Sequence, residues 1–190
     1  MNDAGIGAPE DGAFIADTVK WLTRAVIGLN LCPFAKAVHV KGQIRYVVCH
    51  GDTSEALLTE LIRELRFLVE ADPASTDTTL LIHPNVFVDF LDYNDFLDVA
   101  DAAIAELKLE GVIQIASFHP QYQFAYTEPD DITNFTNRSP YPTLHLLREE
   151  SVTRAVVAFA DAGDIFEKNI ETMNLLGHEG WNKLHSSERQ

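Results

Sequence analysis

Cysteine, basic side chains and long apolar runs are all scarce in this sequence, and each scarcity removes a class of protein. Cys32 and Cys49 are the only two thiols in 190 residues. They form no disulfide framework and show no C-x-x-C spacing, so neither a disulfide-stapled scaffold nor a cysteine-rich zinc module is indicated. Lys and Arg total 14 against 29 Asp and Glu, a formal net charge of -15. Such a chain repels nucleic-acid phosphates and anionic headgroups at a distance, which argues against nucleic acid and membrane surfaces as partners. No apolar run approaches the ~18 residues of a membrane span. Residues 1–10 lack the basic start and apolar core of a signal peptide, so a cytoplasmic protein is expected. G-x-G-x-x-G, Walker, G-x-S-x-G and H-E-x-x-H patterns are missing too, so no cofactor is announced and its identity stays open.

What remains is ordinary globular chemistry. The apolar fraction is 46% and the charged fraction 23%, and a chain of this length buries roughly 70% of its unfolded surface on folding. One domain over 12–180 is expected, between short tails at 1–11 and 181–190. Phe14, Trp21, Leu22, Ala25, Val26 and Leu29 recur at helical spacing, and Pro33 ends that helix. Gln43 to His50 reads as a strand. Asp52 or Thr53 then caps a helix carrying Leu57, Leu61, Leu65 and Leu68. Thr79 to His83 is a second strand, Phe87 to Leu109 a helix stopped by Gly111, and Val112 to Phe118 a third strand.

This order predicts an α/β fold: a βαβαβ core with a small, mostly parallel sheet flanked by helices, an α+β ferredoxin-like arrangement being the alternative. His50, His83 and His119 close the three strands, so they are expected on one rim, where ligands of such sheets gather. Tyr122 to Tyr126 alternates as a short fourth strand would. Thr127 to Pro142 has no sustained period, and a loop this long is often a lid or binding loop. Pro142 suits the start of a helix through Leu146, Val152, Val156 and Phe159. Asp164 caps a final helix through Ile170, Met173 and Leu176, closed by Gly177, giving two C-terminal helices.

The stretch from Ser117 to Glu149 concentrates the side chains that donate, accept or titrate. On a helix, His145, Arg148 and Glu149 at i, i+3 and i+4 would share one face. Arg138 and Arg148 suit a carboxylate or phosphate, while pairing with the many carboxylates is the plain alternative. His119 and His145 are candidates for acid–base work. With His83 or Cys32 they are also candidate zinc or iron ligands, although no motif supports a metal. Cys32 is a candidate nucleophile set among Leu29, Leu31 and Phe34, a setting that equally suits a buried apolar thiol. Asn134 and Asn137 are turn formers or substrate contacts. Asn134-Phe135-Thr136 and Asn137-Arg138-Ser139 fit the glycosylation pattern, which has no meaning in a cytoplasmic chain.

The strings Val26 to Ala35, Lys41 to Val47, Ile113 to Pro120 and Asn137 to Glu149 resemble the domain-of-unknown-function 1415 family, over about Thr18 to Gly177. That resemblance implies a mainly bacterial protein of this length and brings no activity with it. The family's characteristic residues fall here on Cys32, Pro33, Arg45, His119, Asn137, Arg138, His145 and Arg148. The expected function is an enzyme acting on a small anionic metabolite: His119, His145 and Cys32 catalytic, and Arg138, Arg148, Asn137, Asn134 and Arg45 binding substrate. A non-catalytic ligand- or protein-binding module and a His/Cys metal protein are the alternatives.

Overall fold

The computed structural model describes residues 11–158 and 165–186. Four strands form one sheet: β1 (Ile44–Val48), β2 (Thr78–Ile82), β3 (Ile113–Phe118) and β4 (Thr143–Arg148). Around it lie α1 (Asp11–Trp21), α2 (Pro33–Val40), α3 (Ser54–Glu70), α4 (Phe90–Glu106), α5 (Glu149–Ala158) and α6 (Ile165–Ser186). A π-helical turn, Leu22–Ile27, continues α1, and a 3₁₀ helix, Ile132–Asn137, interrupts the connection from β3 to β4.

The strand order is β1-β2-β4-β3. β1 and β2 pair in parallel, whereas β4 is antiparallel to both β2 and β3. β1, β2 and β3 therefore all run one way, as a βαβαβ chain requires, and β4 enters the gap between β2 and β3 from the opposite direction. The α/β class with flanking helices holds, with two helices at the C-terminal end. The ladder itself is mostly antiparallel, and that corrects the expected parallel sheet.

β4 also replaces the helix expected from Pro142. Its leucines suit a helix locally, but the slot offers hydrogen bonds on both edges and burial on both faces, and tertiary pairing overrides propensity. The helix begins only at Glu149. Tyr122 to Tyr126 forms no strand. Pro33 opens α2 rather than merely ending the preceding helix; its fixed φ and missing N–H suit the first helical position. Before it, Asn30 turns the chain at φ 55. At Gly28 a Cβ would lie 2.2 Å from the Arg24 carbonyl oxygen, so this turn accepts no side chain. At Gly177 the backbone leaves helical geometry (φ 61, ψ 176), so the first part of α6 ends there as expected and a second helical stretch follows across the kink. That stretch carries Trp181, a buried core residue and not the edge of a tail. The expected cap Asp164, the helical Phe159 and most of the two tails lie outside the described residues.

Side chains alternate across the sheet. Val47, Leu81, Leu144, Leu146 and Ile113 face α3 and α4, where Leu57, Leu61, Leu65, Leu68 and Phe96 complete the larger core. Thr53 caps α3 by accepting from the Ala56 amide at 3.2 Å, and Asp89 caps α4. On the other face Ile44, Tyr46 and Phe118 meet Trp21, Leu22, Ala25, Met173 and Trp181, while Leu147 meets Phe34 and Val38 of α2. Among the described residues no helix is long and apolar enough to cross a membrane.

Candidate functional site

The rim expected at the strand ends exists, because Val48, Ile82 and Phe118 share one register row with Thr143. Its histidines are bound into the fold. His83 is fully buried; Nδ1 donates to the Val86 carbonyl at 3.2 Å and the ring stacks on Tyr93 at 5.6 Å. His119 is buried against the same Tyr93 ring, at 5.1 Å, with Nε2 donating to the Phe87 carbonyl and Nδ1 accepting from the Gln121 amide. Burial lowers the pKa of both rings, that of His83 to about 4. The Tyr93 hydroxyl donates to the Thr143 carbonyl and accepts from the Phe118 amide, joining α4 to two strands. With both nitrogens engaged, His119 has no ring atom left for proton transfer. Half-exposed His50 pairs with Asp11 of α1.

The arginines are committed as well. Strand geometry puts His145 and Arg148 on opposite faces of β4, so the convergence expected of His145, Arg148 and Glu149 does not occur. Arg148 donates to the carbonyls of Leu68, Ala71 and Thr76, the last two at 2.7 and 3.3 Å. It thereby closes the C-terminal end of α3, whose last carbonyls lack helical partners, and lies 3.6 Å from Asp77. Arg45 makes a two-point contact with buried Glu64 at 2.7 and 3.2 Å and covers the Phe67 ring. Arg138 donates to the carbonyls of Tyr122 and Pro129 and stacks on Phe135.

The expected lid is a tied-down segment. Asn134, fully buried, accepts from the Phe124 amide at 2.9 Å and the Thr127 hydroxyl at 2.8 Å, and donates to the Glu128 carbonyl at 2.8 Å. Asn137 donates to the Ser117 carbonyl of β3 at 3.1 Å. Between this segment and α6 lies a cavity of about 440 Å³. Phe124, Phe166 and Ile170 give it apolar walls; Thr133, Thr136, Asn137 and Asn169 give it neutral donors and acceptors. Asn169 also donates to the Leu31 carbonyl at 3.0 Å, beside Cys32. Of the expected site residues, the cavity takes in Asn137 alone. Phe166 and Asn169 carry no local signal, since a helix's pattern does not say what its first turn will face.

His145 sits apart, in the middle row of the sheet face covered by α2 and the core around Trp21, paired with Leu80 and Ala116. Nε2 lies 2.7 Å from the Thr78 hydroxyl. The ring is half-buried, and burial pushes its pKa down to about 4. Tyr46, two strands away on the same row, has a buried hydroxyl without a hydrogen-bond partner and a pKa raised to about 12 by burial. Half-buried Cys32 packs against both apolar clusters on this face, and burial raises its thiol pKa despite the α2 amides beside it. No three or more His, Cys, Asp or Glu side chains gather to hold a metal ion among the described residues.

The sequence that builds this site matches a known family. Residues 13–183 match the family model described as protein of unknown function (DUF1415). The chain belongs to that family. No curated protein and no solved structure matches it. Membership in DUF1415 covers every strand and nearly all the helical residues, so the cavity and the His145 face both lie inside the shared domain.

Proposed function

We propose that this DUF1415 protein binds a small, uncharged molecule in the cavity between the 3₁₀ helix and α6. One observation carries the reading: a pocket of ligand size walled by aromatic and aliphatic side chains, with two amides, three threonine hydroxyls and, among the described residues, no charged group lining it. The arginines speak less for an anionic metabolite, because Arg45, Arg138 and Arg148 each already donate to the protein's own carbonyls or carboxylates and none lines this cavity. An aromatic or aliphatic body with one or two hydrogen-bonding groups suits the lining better.

The test is a ligand-observed NMR screen of ring-bearing neutral amides and alcohols beside the matching carboxylates, on the native protein and on Ile170→Trp, which fills the cavity. Neutral fragments should bind the native protein and be lost from a folded Ile170→Trp. Hits that survive the filling substitution, or a preference for the carboxylates, would sink the reading.

A further inference from the structure

We propose that His145 is a binding site in its own right, accepting the N–H or O–H of a small uncharged molecule at Nδ1, with Thr78 as the residue that positions it. The argument is a proton count. A threonine hydroxyl has one proton, and that of Thr78 goes to the Leu146 carbonyl at 2.6 Å, an atom that only accepts. At the 2.7 Å contact with His145 the hydroxyl oxygen is therefore the acceptor and Nε2–H the donor. A neutral imidazole has one N–H. The lone pair consequently sits on Nδ1, and the burial that disfavours the charged ring keeps it there at neutral pH.

That lone pair is unspent. Among the described residues Nδ1 has no hydrogen-bond partner, and it is not among the sealed-in polar atoms that lack one. His83, equally desolvated, has its free nitrogen closed off from solvent. The surroundings define the ligand. The sheet face around His145 carries Leu80, Ala116, Leu147, Thr143 and Phe118, the Phe118 ring 6.1 Å away. Tyr46 and Cys32, on the same side of the sheet, are both held neutral by burial, and no strand residue of this sheet face carries a charge. A charged ligand would lose its hydration there without a counter-ion. A neutral donor such as an alcohol, amide or lactam would gain the hydrogen bond that Nδ1 lacks. The site stands apart from the cavity, none of whose lining residues it uses, so either reading can fail alone.

Three measurements test it. Two-bond ¹⁵N–¹H imidazole spectra of the native protein should show His145 as the Nε2–H tautomer; Thr78→Ser should keep it and Thr78→Val should mix the tautomers, which a purely structural role for Thr78 would not do. Diethyl pyrocarbonate at neutral pH should carbethoxylate His145 together with exposed His178 but spare His119, and the labelled peptide should vanish in His145→Gln. Titration with 2-pyrrolidinone, a neutral lactam donor, should shift the His145 Nδ1 resonance to saturation while acetate leaves it in place. An Nδ1–H tautomer in the native protein, an unlabelled His145 beside labelled His178, or a resonance indifferent to the lactam would each overturn the proposal.

Discussion

His83 and His145 are two histidines of one sheet with the same depressed basicity and opposite situations. His83, on the face covered by α3 and α4, is sealed under Tyr93, and the arginines farther along that face, Arg45 and Arg148, are tied to carboxylate or carbonyl oxygens. His145, on the other face, uses one nitrogen to reach Thr78 and leaves the other open. The same loss of hydration lowers both pKa values, so a shifted pKa alone separates nothing here. What separates them is whether the leftover hydrogen-bonding capacity is sealed in: the spare nitrogen of His83 is closed off inside the fold, whereas that of His145 is not among the sealed-in atoms and gives a ligand something to bind.

The strongest way to break that comparison is to attack the sealed face. Arg148→Leu removes three carbonyl contacts and leaves Asp77, held by Ser151 at 2.7 Å, without its cation. Removing one partner of a buried pair costs about 3–5 kcal/mol, and urea unfolding should show a loss of that size. Carbethoxylation of His145 should be unchanged wherever the variant remains folded. A stability change below about 1 kcal/mol would mean that Arg148 is not the anchor it looks to be, and an anion-binding role for it would return.

Acid should act on both faces alike. Each ring has a folded pKa near 4 against an ordinary 6.5. The unfolded chain therefore takes up protons first as pH falls through 6.5, and stability drops until the folded rings titrate near pH 4. The full loss is about 3 kcal/mol per ring. His83→Gln and His145→Gln should each flatten the stability–pH curve between 6.5 and 4 while the native curve stays steep. A variant with the native slope would show that its ring is not desolvated.

The sheet's three parallel-running strands, their helices and the rim of histidines were legible because their signals are local: period, cap and turn. Leu57, Leu61, Leu65 and Leu68 announce α3, and Thr53 its start. β4 was not legible. Thr143 to Arg148 reads as helix until β2 and β3, paired with it across 61–69 and 25–35 residues respectively, supply both edges. That error carried the site with it, because His145 and Arg148 share a face on a helix and oppose each other on a strand. The polarity of Ser117 to Glu149 was real, but most of it builds the segment's own hydrogen bonds. The partner of His145, Thr78, is 67 residues away, beyond any spacing rule.

Asn134 sharpens the comparison from the side of the cavity. Its amide makes three hydrogen bonds that shape the turn from Phe124 to Glu128. Asn134→Leu should cost about 2 kcal/mol, since unpaired buried groups are left behind at roughly 1–3 kcal/mol. Hydrogen exchange should rise at Phe124 and Thr127 without rising in β2 or α3. Protection lost across the whole sheet would make Asn134 part of the sealed core and not the support of a separate binding region.

Cys32 gives the smallest effect and the finest distinction. Its thiol lies at the start of α2, where backbone amides favour a thiolate, yet burial outweighs them and the pKa is raised. Less thiolate is then present at pH 8 than in an unperturbed cysteine. Iodoacetamide should accordingly alkylate Cys32 more slowly than it alkylates a model peptide thiol, with the rate still climbing above pH 9, and Cys32→Ala should change stability by about 1 kcal/mol or less. A thiol that instead reacted fast at pH 7 and lost that speed in His145→Gln would place the two in ionic contact; the open face of the sheet would then hold a nucleophile and its base, not only a lone hydrogen-bond acceptor.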